Sequence, residues 1–339
     1  MNNQNPWLVI TSISAPNEAL RMFARGCGEN GYRFVVIGDS KSPETFDLEG
    51  CDFWSLGRQA ESEFAYAKLC PTKHYARKNI GYLLAVREKA AFIRDTDDDN
   101  LPRPSFWTAP ERSQEVPALQ KAGWVNVYRL FSEVNIWPRG LPLDTIHDPL
   151  PEWETIQPSV SECPIQQGLA DENPDVDAIY RLVLPLPQDF RSDRRVALRS
   201  GAWCPFNSQN TTWFPEAFPL LYLPAYCSFR MTDIWRSFVA QRIAWANDWS
   251  ILFHEPTVWQ ERNEHSLMRD FIDEIPGYVE NARIAKELDG LAIKGGVKEI
   301  PDNLRLCYGK LVELGLIDAL EIPLLEAWLS DLSSTSSAA

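Results

Sequence analysis

The stretch FIRDTDDDN at positions 92–100 places four carboxylates directly after a short apolar run, namely Asp95, Asp97, Asp98 and Asp99. Like charges this close together repel one another, so the cluster calls for a positive charge nearby. Mg²⁺ and Mn²⁺ prefer oxygen ligands, and they typically bind one or two carboxylates together with the phosphates of a substrate. The spacing does not match the calcium loop D-x-[DN]-x-[DN]-G. The cluster therefore indicates a site where a divalent cation holds a diphosphate and stabilises its charge as it departs, with a solvated acidic turn as the alternative.

Strand patterns and helix patterns alternate before this cluster. WLVITSI, YRFVVIGD, CDFWSL and AAFIRD have the composition of buried strands, and residues 17–29 and 73–90 have helical periodicity. This order of elements predicts a parallel sheet covered by helices. Ligands bind beyond the carboxyl ends of the strands in such sheets, and the acidic cluster follows one of those ends.

The rest of the chain has a loop-rich region first and mainly helical patterns after it. Residues 101–215 are rich in Pro, Trp and turn signals, which predicts short strands and the long loops that often recognise substrates. A helix over 232–247 and a strand over 249–259 are predicted next. Helical patterns between 279 and 331 predict a C-terminal extension, and residues 332–339 have the composition of a disordered polar tail.

Composition argues against several classes of protein. The 339 residues carry a formal net charge of −14, which disfavours general binding to nucleic acid or to an anionic membrane surface. No apolar run reaches the roughly 18 residues of a membrane-spanning helix, and the first residues lack the pattern of a signal peptide. The seven cysteines include no CxxC pair, which favours reduced thiols over a disulfide framework or a zinc site. We therefore expect a cytoplasmic protein.

Polar residues outside the acidic cluster could also contact a substrate. Arg77 and Lys78 lie near the start of the helix that leads into the acidic strand, where they could approach a diphosphate, pair with the aspartates or form a solvated helix face. In ADENPDVD, Asp175 favours capping of the following helix, whereas Asp177 could contact a sugar. Asn207 lies in an amide-rich loop between two tryptophans, a composition that suits either sugar recognition or an ordinary loop.

YARKNIGYLLAV followed by IRDTDDDN resembles the STELLO glycosyltransferase family, which pairs a similar helix with a TDDDN motif. The likeness continues through NIWPRGLPL, QQGLADENPDVDAIYRL and CPFNSQNT, and it covers roughly residues 7–265. A more distant likeness connects the chain to the reversibly glycosylated polypeptides, the UDP-arabinopyranose mutase family, although NPDVDAI stands here in place of the DYDAP segment of those proteins. Both resemblances imply a GT-A fold, a nucleotide sugar and a divalent metal, Mn²⁺ or Mg²⁺.

The resemblance assigns donor-binding roles in the first part of the chain. Thr11 and Ser12 end the first strand, where GT-A enzymes contact the nucleobase or ribose. Asp39 ends the second strand and could accept a hydrogen bond from the base or ribose. Arg77 and Lys78 would approach the phosphates or the donor sugar.

The acidic motif receives divided roles from the same resemblance. Asp97 would face ribose or sugar hydroxyls and share in binding the metal, and Asp99 would bind the metal. Asp98 could do either. Asp95 is assigned to the strand, where it could orient Arg77.

Downstream residues complete the expected site. Asp233 in TDIW resembles the acid that serves GT-A enzymes as catalytic base, so it could deprotonate an acceptor hydroxyl or bind it, with helix capping as the alternative. His254 and His265 are candidates for a further metal ligand, and the likeness of WQERNEH to the mutases favours His265. Arg139 matches an arginine implicated in covalent glycosylation of the mutases; here it could bind phosphate or pair with an acid.

Together these features predict an α/β protein of GT-A type over residues 1–278, with a nucleotide-binding half (1–100) and an acceptor and sugar half (101–278). The expected function is transfer of a sugar from a nucleoside diphosphate, with UDP favoured, to a glycan acceptor in polysaccharide or glycoconjugate synthesis. A sugar-nucleotide mutase and a non-catalytic partner of a polysaccharide synthase are the alternatives. Peripheral association with a membrane or a synthase complex stays open, as does the oligomeric state.

Overall fold

A computed structural model of the chain describes residues 5–261 and 266–337. Its strands are β1 (Pro6–Thr11), β2 (Arg33–Ile37), β3 (Asp52–Trp54), β4 (Phe92–Thr96), β5 (Asn100–Pro102), β6 (Ser113–Leu119), β7 (Gly123–Trp124), β8 (Pro158–Glu162), β9 (Ile165–Asp171), β10 (Arg195–Leu198), β11 (Ala202–Trp203), β12 (Asn210–Trp213) and β13 (Ile251–Gln260). Its α-helices are α1 (Glu18–Asn30), α2 (Leu56–Glu61), α3 (Ala65–Leu69), α4 (Lys78–Arg87), α5 (Tyr128–Phe131), α6 (Ala178–Val183), α7 (Thr232–Ala246), α8 (Leu267–Asp289), α9 (Ile300–Glu313) and α10 (Glu321–Ser337).

The first half of the central sheet is parallel, as the sequence predicts. Its strands lie in the order β3-β2-β1-β4, and each neighbouring pair runs parallel. The central strand β1 is apolar and buried on both faces because α1 and α4 cover the sheet. The carboxyl ends of β1, β2 and β4 therefore meet at one edge of the sheet.

The second half of the same sheet is mixed. β12 lies antiparallel between β4 and β9, and β13, β10, β6 and β8 follow in that order. The pairs β9–β13 and β10–β6 are parallel, whereas β10–β13 and β6–β8 are antiparallel. The predicted α/β fold with a central sheet flanked by helices is confirmed, and the loop-rich region 101–215 contributes most of its short strands to the sheet that carries the acidic motif.

Local signals set the helices that support the site. Asn17 caps α1 by accepting a hydrogen bond from the amide of Leu20, and Gly31 ends this helix with a φ of 73°, a conformation that glycine adopts without strain. A 3₁₀ turn at Tyr75–Arg77 leads into α4, so the predicted helix over 73–90 begins later than expected. α4 lies close to the sheet because Gly81 has no side chain; a Cβ there would come within 2.5 Å of Val9.

Among the C-terminal helices, α10 packs on α3 and α4 of the nucleotide-binding half, whereas α8 and α9 pack on α7. Trp328 of α10 contacts the rings of Tyr66 and Tyr222, and Asp331 accepts hydrogen bonds from the amides of Ala65 and Tyr66. α8 crosses the predicted boundary between residues 278 and 279. α10 continues to Ser337, within the segment that the sequence predicts to be a disordered tail. Among the helices in the described ranges, none has the length and apolar character needed to cross a bilayer.

Candidate active site

A cavity of about 1350 Å³ lies at the edge of the sheet where β1, β2 and β4 end. Nine of the residues predicted from the sequence line it: Thr11, Ser12, Asp39, Arg77, Asp97, Asp98, Asp99, Arg139 and Asp233. Three others, Lys78, Asp177 and Asn207, are buried and do not appear in its lining. The fold therefore brings together most of a site whose members are spread over more than two hundred positions of the chain.

The acidic edge, which we define as Asp97, Asp98 and Asp99, is held from two sides. The hydroxyl of Tyr75 donates to Asp97 Oδ1 over 2.6 Å, and Lys78 Nζ lies 3.3 Å from the same oxygen. The hydroxyl of Ser12 donates to Asp98 Oδ2 over 2.5 Å. The ends of β1 and α4 thus fix the orientation of these carboxylates.

Of the roles predicted for Lys78, the structure shows pairing with the aspartates, as an internal counterion of this edge, and not an approach to phosphates. Its side chain is fully buried, with Nζ 2.5 Å from Asp95 Oδ1 and 2.7 Å from the carbonyl oxygen of Thr96. Asp95 also pairs with Arg236 over 3.2 Å, rather than orienting Arg77 as predicted. Arg236 belongs to α7 and lies 141 positions away, so only the folded topology shows this contact.

Burial raises the pKa of Asp97 to about 7, and the charges of Asp99 and Asp95 act in the same direction against Lys78 and the Tyr75 hydroxyl. Burial also raises the pKa of the neighbouring Asp98, against the Ser12 hydrogen bond. Raised values mean that these carboxylates resist ionisation because their negative charge is incompletely balanced. The acidic edge therefore still favours an added cation, even with Lys78 beneath it.

The donor set of the acidic edge fits a hard divalent cation that is completed by phosphates. Its three residues offer carboxylate oxygens at a strand end, the ligands that Mg²⁺ and Mn²⁺ prefer. Within the ranges 5–261 and 266–337, no group of three or more His, Cys, Asp or Glu side chains has an arrangement that could hold a metal by itself. A bound metal would thus depend on oxygens from a substrate, or on the predicted ligand His265, which lies outside the described residues.

His254 lies away from the cavity lining, so the structure does not support it as a metal ligand. Its side chain is 15% exposed on β13, next to a register shift of that strand, and its Nδ1 is 3.0 Å from the carbonyl oxygen of Glu255. Burial lowers the pKa of this imidazole to about 4, although the charge of Glu255 opposes the shift. His254 is therefore a neutral packing residue at pH 7.

Asp39 organises the loop beside the acidic edge. Its carboxylate accepts hydrogen bonds from the amides of Ser40, Lys73 and His74, at 2.6, 2.8 and 2.9 Å. These bonds fix the segment that begins the 3₁₀ turn carrying Tyr75. A contact between Asp39 and a base or ribose stays a prediction.

Arg77 lines the cavity as a buried cation. Its Nε donates to Gln59 Oε1 over 2.7 Å, and its Nη1 donates to the carbonyl oxygen of Cys70 over 2.8 Å. Both partners are neutral, and no carboxylate in the described part of the chain forms an ion pair with this guanidinium. Buried charges are usually paired, so Arg77 is suited to an anionic ligand.

The Arg139 cluster, which comprises Arg139, Asp175 and Asp233, lies farther along the lining. Arg139 donates to both oxygens of Asp175 over 2.8 and 2.7 Å, and to both oxygens of Asp233 over 3.0 Å. Asn207 supports the cluster by donating to Asp175 Oδ2 over 2.9 Å. Burial alone would lower the pKa of Arg139, but the two carboxylates raise it well above its usual value. Of the two roles predicted for Arg139, the structure shows pairing with acids.

Asp233 lies in the first turn of α7 and is held as an anion. The amides of Ser208 and Ile234 donate to it in addition to Arg139. Burial would raise its pKa, but the charge and hydrogen bonds of Arg139, with the charges of Arg236 and Arg230, lower it. A carboxylate with a lowered pKa is a weak proton acceptor.

Asp175 and Asp177 exchange the roles that the sequence predicts. Asp177 is the fully buried N-cap of α6, where its carboxylate accepts from the amide of Tyr180 and from Trp137 Nε1, each over 2.7 Å. Asp175 lines the cavity instead. Both flank the same Pro174 turn, and the start of α6 at Ala178 decides which one caps the helix.

Comparisons with known proteins find similarity to one family of glycosyltransferases. The model of the family described as STELLO glycosyltransferases matches residues 230–337, which include α7 and the C-terminal helices. The chain is 29% identical to "Probable glycosyltransferase STELLO2" and 28% identical to "Probable glycosyltransferase STELLO1", both of Arabidopsis thaliana. Each alignment covers 96% of this chain and 44% of the relative, so the chain spans less than half the length of the curated relatives it matches.

A solved structure titled "Crystal Structure of a Mycobacterial Protein" aligns with 83% of this chain and 76% of its own, at a TM-score of 0.42 and 9% identity. The fold and the acidic strand end define the class: an α/β protein with a central sheet flanked by helices and an anionic cleft at the carboxyl ends of its parallel strands. Within that class, the sequence matches confirm the predicted resemblance to the STELLO-type glycosyltransferases.

Proposed function

We propose that this chain is a metal-dependent glycosyltransferase that transfers a sugar from a nucleoside diphosphate, with UDP the expected nucleotide, to a glycan acceptor in polysaccharide or glycoconjugate synthesis. The cavity carries this proposal because it joins the acidic edge, the buried cation Arg77 and the strand ends of β1 and β2 in one space. Its volume of about 1350 Å³ exceeds the roughly 300–1,000 Å³ typical of small-molecule sites, so a donor and part of an acceptor fit together. The relatives named as probable glycosyltransferases support transfer as the reaction.

The donor would lie along the carboxyl ends of the parallel strands. Thr11, Ser12 and Asp39 would face the nucleoside, since they follow β1 and β2 in the lining. Arg77 would bind the diphosphate, because its guanidinium has only neutral partners among the described residues and the residue lines the cavity. Burial of this pair of opposite charges would strengthen their attraction.

Asp97 and Asp99 would hold the divalent cation, while Asp98 is turned toward Ser12. A bound Mn²⁺ or Mg²⁺ supplies positive charge that stabilises the departing diphosphate. Lys78 and Tyr75 would keep Asp97 in place before and after binding, since both bond to the same carboxylate oxygen.

Asp233 would bind the acceptor hydroxyl rather than remove its proton. Its lowered pKa and its bonds to Arg139 make it a stable anion. An anion of this kind can accept a hydrogen bond and orient a hydroxyl for attack, which contributes through positioning. Asp233 would therefore act at the acceptor, as the sequence predicts. Of its two predicted roles, it would bind the hydroxyl and not deprotonate it.

The test is to incubate the purified chain with Mn²⁺ and a panel of nucleotide sugars, and to follow nucleotide binding by calorimetry and products by mass spectrometry. Release of the diphosphate by transfer or hydrolysis supports the proposal. Ring isomerisation of the sugar would instead identify a mutase, and binding without turnover would favour a non-catalytic partner. If no nucleotide sugar binds, all three functions fail.

A further inference from the structure

Arg181 lines the cavity, and its hydrogen-bond partners differ in charge from those of Arg139 and Arg230. Arg139 is neutralised by two carboxylates, and Arg230 donates twice to Glu274 Oε1, over 3.0 and 2.8 Å. Arg181, on α6, donates instead to Asn173 Oδ1 and to the carbonyl oxygen of Pro174. No carboxylate in the described ranges forms an ion pair with it.

Burial makes this arrangement unfavourable for the charge that Arg181 carries. Desolvation lowers the pKa of its guanidinium, and the charge of Arg230 acts in the same direction, against the charges of Asp175, Glu274 and Asp270. A guanidinium presents a planar set of donors that matches a carboxylate or a phosphate in two parallel hydrogen bonds. An anionic ligand would therefore balance Arg181 better than its present neutral partners do.

The diphosphate of the proposed donor does not fill this need, because the acidic edge and Arg77 serve it from other segments of the lining. Arg77 comes from the turn before α4, whereas Arg181 comes from the segment 173–186, which lines the cavity together with the amides of Gln209 and Gln260. Neutral amides suit sugar hydroxyls. The surroundings of Arg181 thus fit the glycosyl part of a substrate.

We propose that Arg181 is a specificity-determining residue that binds a carboxylate on the sugar side of the substrate, a second anionic group separate from the diphosphate. This inference rests on the proposed function and narrows its substrate to an acidic sugar, carried either by the donor or by the glycan acceptor. Both sources share the same chemistry at Arg181.

Two matched titrations distinguish the sources. In the first, UDP-glucuronate is compared with UDP-glucose in the presence of Mn²⁺, since the two differ only by the carboxylate on the sugar. In the second, the chain saturated with UDP and Mn²⁺ is titrated with a galacturonate trisaccharide and with its neutral galactose counterpart. We expect the acidic ligand to bind at least about tenfold more tightly in one of the two series, as for a charge-assisted bidentate contact.

The decisive variant is Arg181→Gln, which removes the charge but keeps an amide that can donate to Asn173 or Pro174. It should abolish the preference for the acidic ligand and leave the affinity for free UDP unchanged, and Arg25→Met on α1 serves as an exposed control. Unchanged UDP affinity also shows that the variant is folded. Equal affinities for acidic and neutral ligands in both series, or a preference that survives in Arg181→Gln, would overturn the inference. Failure of the wild-type chain to bind UDP at all would instead overturn the proposed donor, and this inference with it.

Discussion

The acidic edge and the Arg139 cluster both place carboxylates and cations in buried contact, but the balance of charge differs between them. In the Arg139 cluster, one guanidinium binds both oxygens of two carboxylates, and the pKa of Asp233 is lowered. At the acidic edge, burial together with neighbouring carboxylates raises the pKa of Asp97 to about 7 despite the presence of Lys78. Two clusters in one cavity are thus set to opposite electrostatic states.

This difference indicates that one cluster stabilises the fold and that the other is suited to bind a ligand. A buried ion pair that is fully hydrogen-bonded resists change, because removing either partner leaves an uncompensated charge. A carboxylate cluster with too little positive charge gains stability from an added cation instead. The Arg139 cluster is therefore suited to hold the acceptor side in shape, and the acidic edge is suited to take up a metal ion with its phosphates.

The largest expected effect comes from breaking the balanced cluster. Arg139→Met should lower the free energy of unfolding by about 3–5 kcal/mol, because Asp175 and Asp233 would remain buried without their shared cation. Urea denaturation at pH 7 measures this change, with the exposed Arg25→Met as the control. A loss below about 1 kcal/mol would show that the cluster does not stabilise the fold.

Removing a ligand from the acidic edge should affect binding rather than folding. Asp99→Ala should weaken Mn²⁺-dependent nucleotide binding at least about 100-fold, equivalent to about 2.7 kcal/mol, because it deletes a predicted metal ligand. Titration calorimetry with and without Mn²⁺ measures this effect, and Asp47→Ala on the exposed surface is the matched control. Unchanged affinity would mean that the metal assignment is wrong.

The two clusters also differ in how much of each could be predicted from the sequence. The acidic motif is contiguous, and the strands and helices before it carry local signals such as the Asn17 cap and the Gly31 stop. The first half of the sheet and the position of the motif at a strand end could therefore be predicted. The pairing of Lys78 with an aspartate is among the roles that the sequence predicts, because a basic helix start leads directly into the acidic strand.

Other contacts depend on topology that no local pattern contains. Arg139 meets partners that lie 36 and 94 positions away, and they are brought together only after the loop-rich region has added its strands to the sheet. Asp175 and Asp177 are alike in sequence, so the choice between cavity and helix cap depends on the residue at which α6 begins. Local propensity predicts that one of them caps the helix but does not identify which one.

His254 lies outside both clusters, and its lowered pKa predicts how the stability of the fold depends on pH. Since its pKa in the folded chain is about 4 and that of an exposed histidine is about 6.5, the unfolded state takes up a proton first as the pH falls. Its contribution to stability is therefore present above about pH 6.5 and is lost between there and pH 4, by about 3 kcal/mol. Denaturation curves across this range should show a shallower acid loss for His254→Gln than for the wild type, with exposed His147→Gln as the control.

The same His254→Gln variant tests whether this histidine is a metal ligand at the acidic edge. Because His254 does not line the cavity, the variant should bind Mn²⁺ and nucleotide as the wild type does. Reduced Mn²⁺ affinity would place this imidazole among the ligands and would contradict its position in the fold.

The smallest effect on stability should come from neutralising a carboxylate of the acidic edge, where negative charge is in excess. Asp97→Asn keeps an oxygen that can accept the Tyr75 hydroxyl and removes one charge from a crowded anionic group. In metal-free solution we expect the free energy of unfolding to change by less than about 1 kcal/mol, since the lost contact with Lys78 is offset by reduced repulsion.

The matched change Asp175→Asn in the Arg139 cluster should destabilise the fold clearly more, because it leaves Arg139 with one carboxylate. Equal losses in the two variants would show that both clusters are structural ion pairs, and the acidic edge would then lose its electrostatic case for binding a metal.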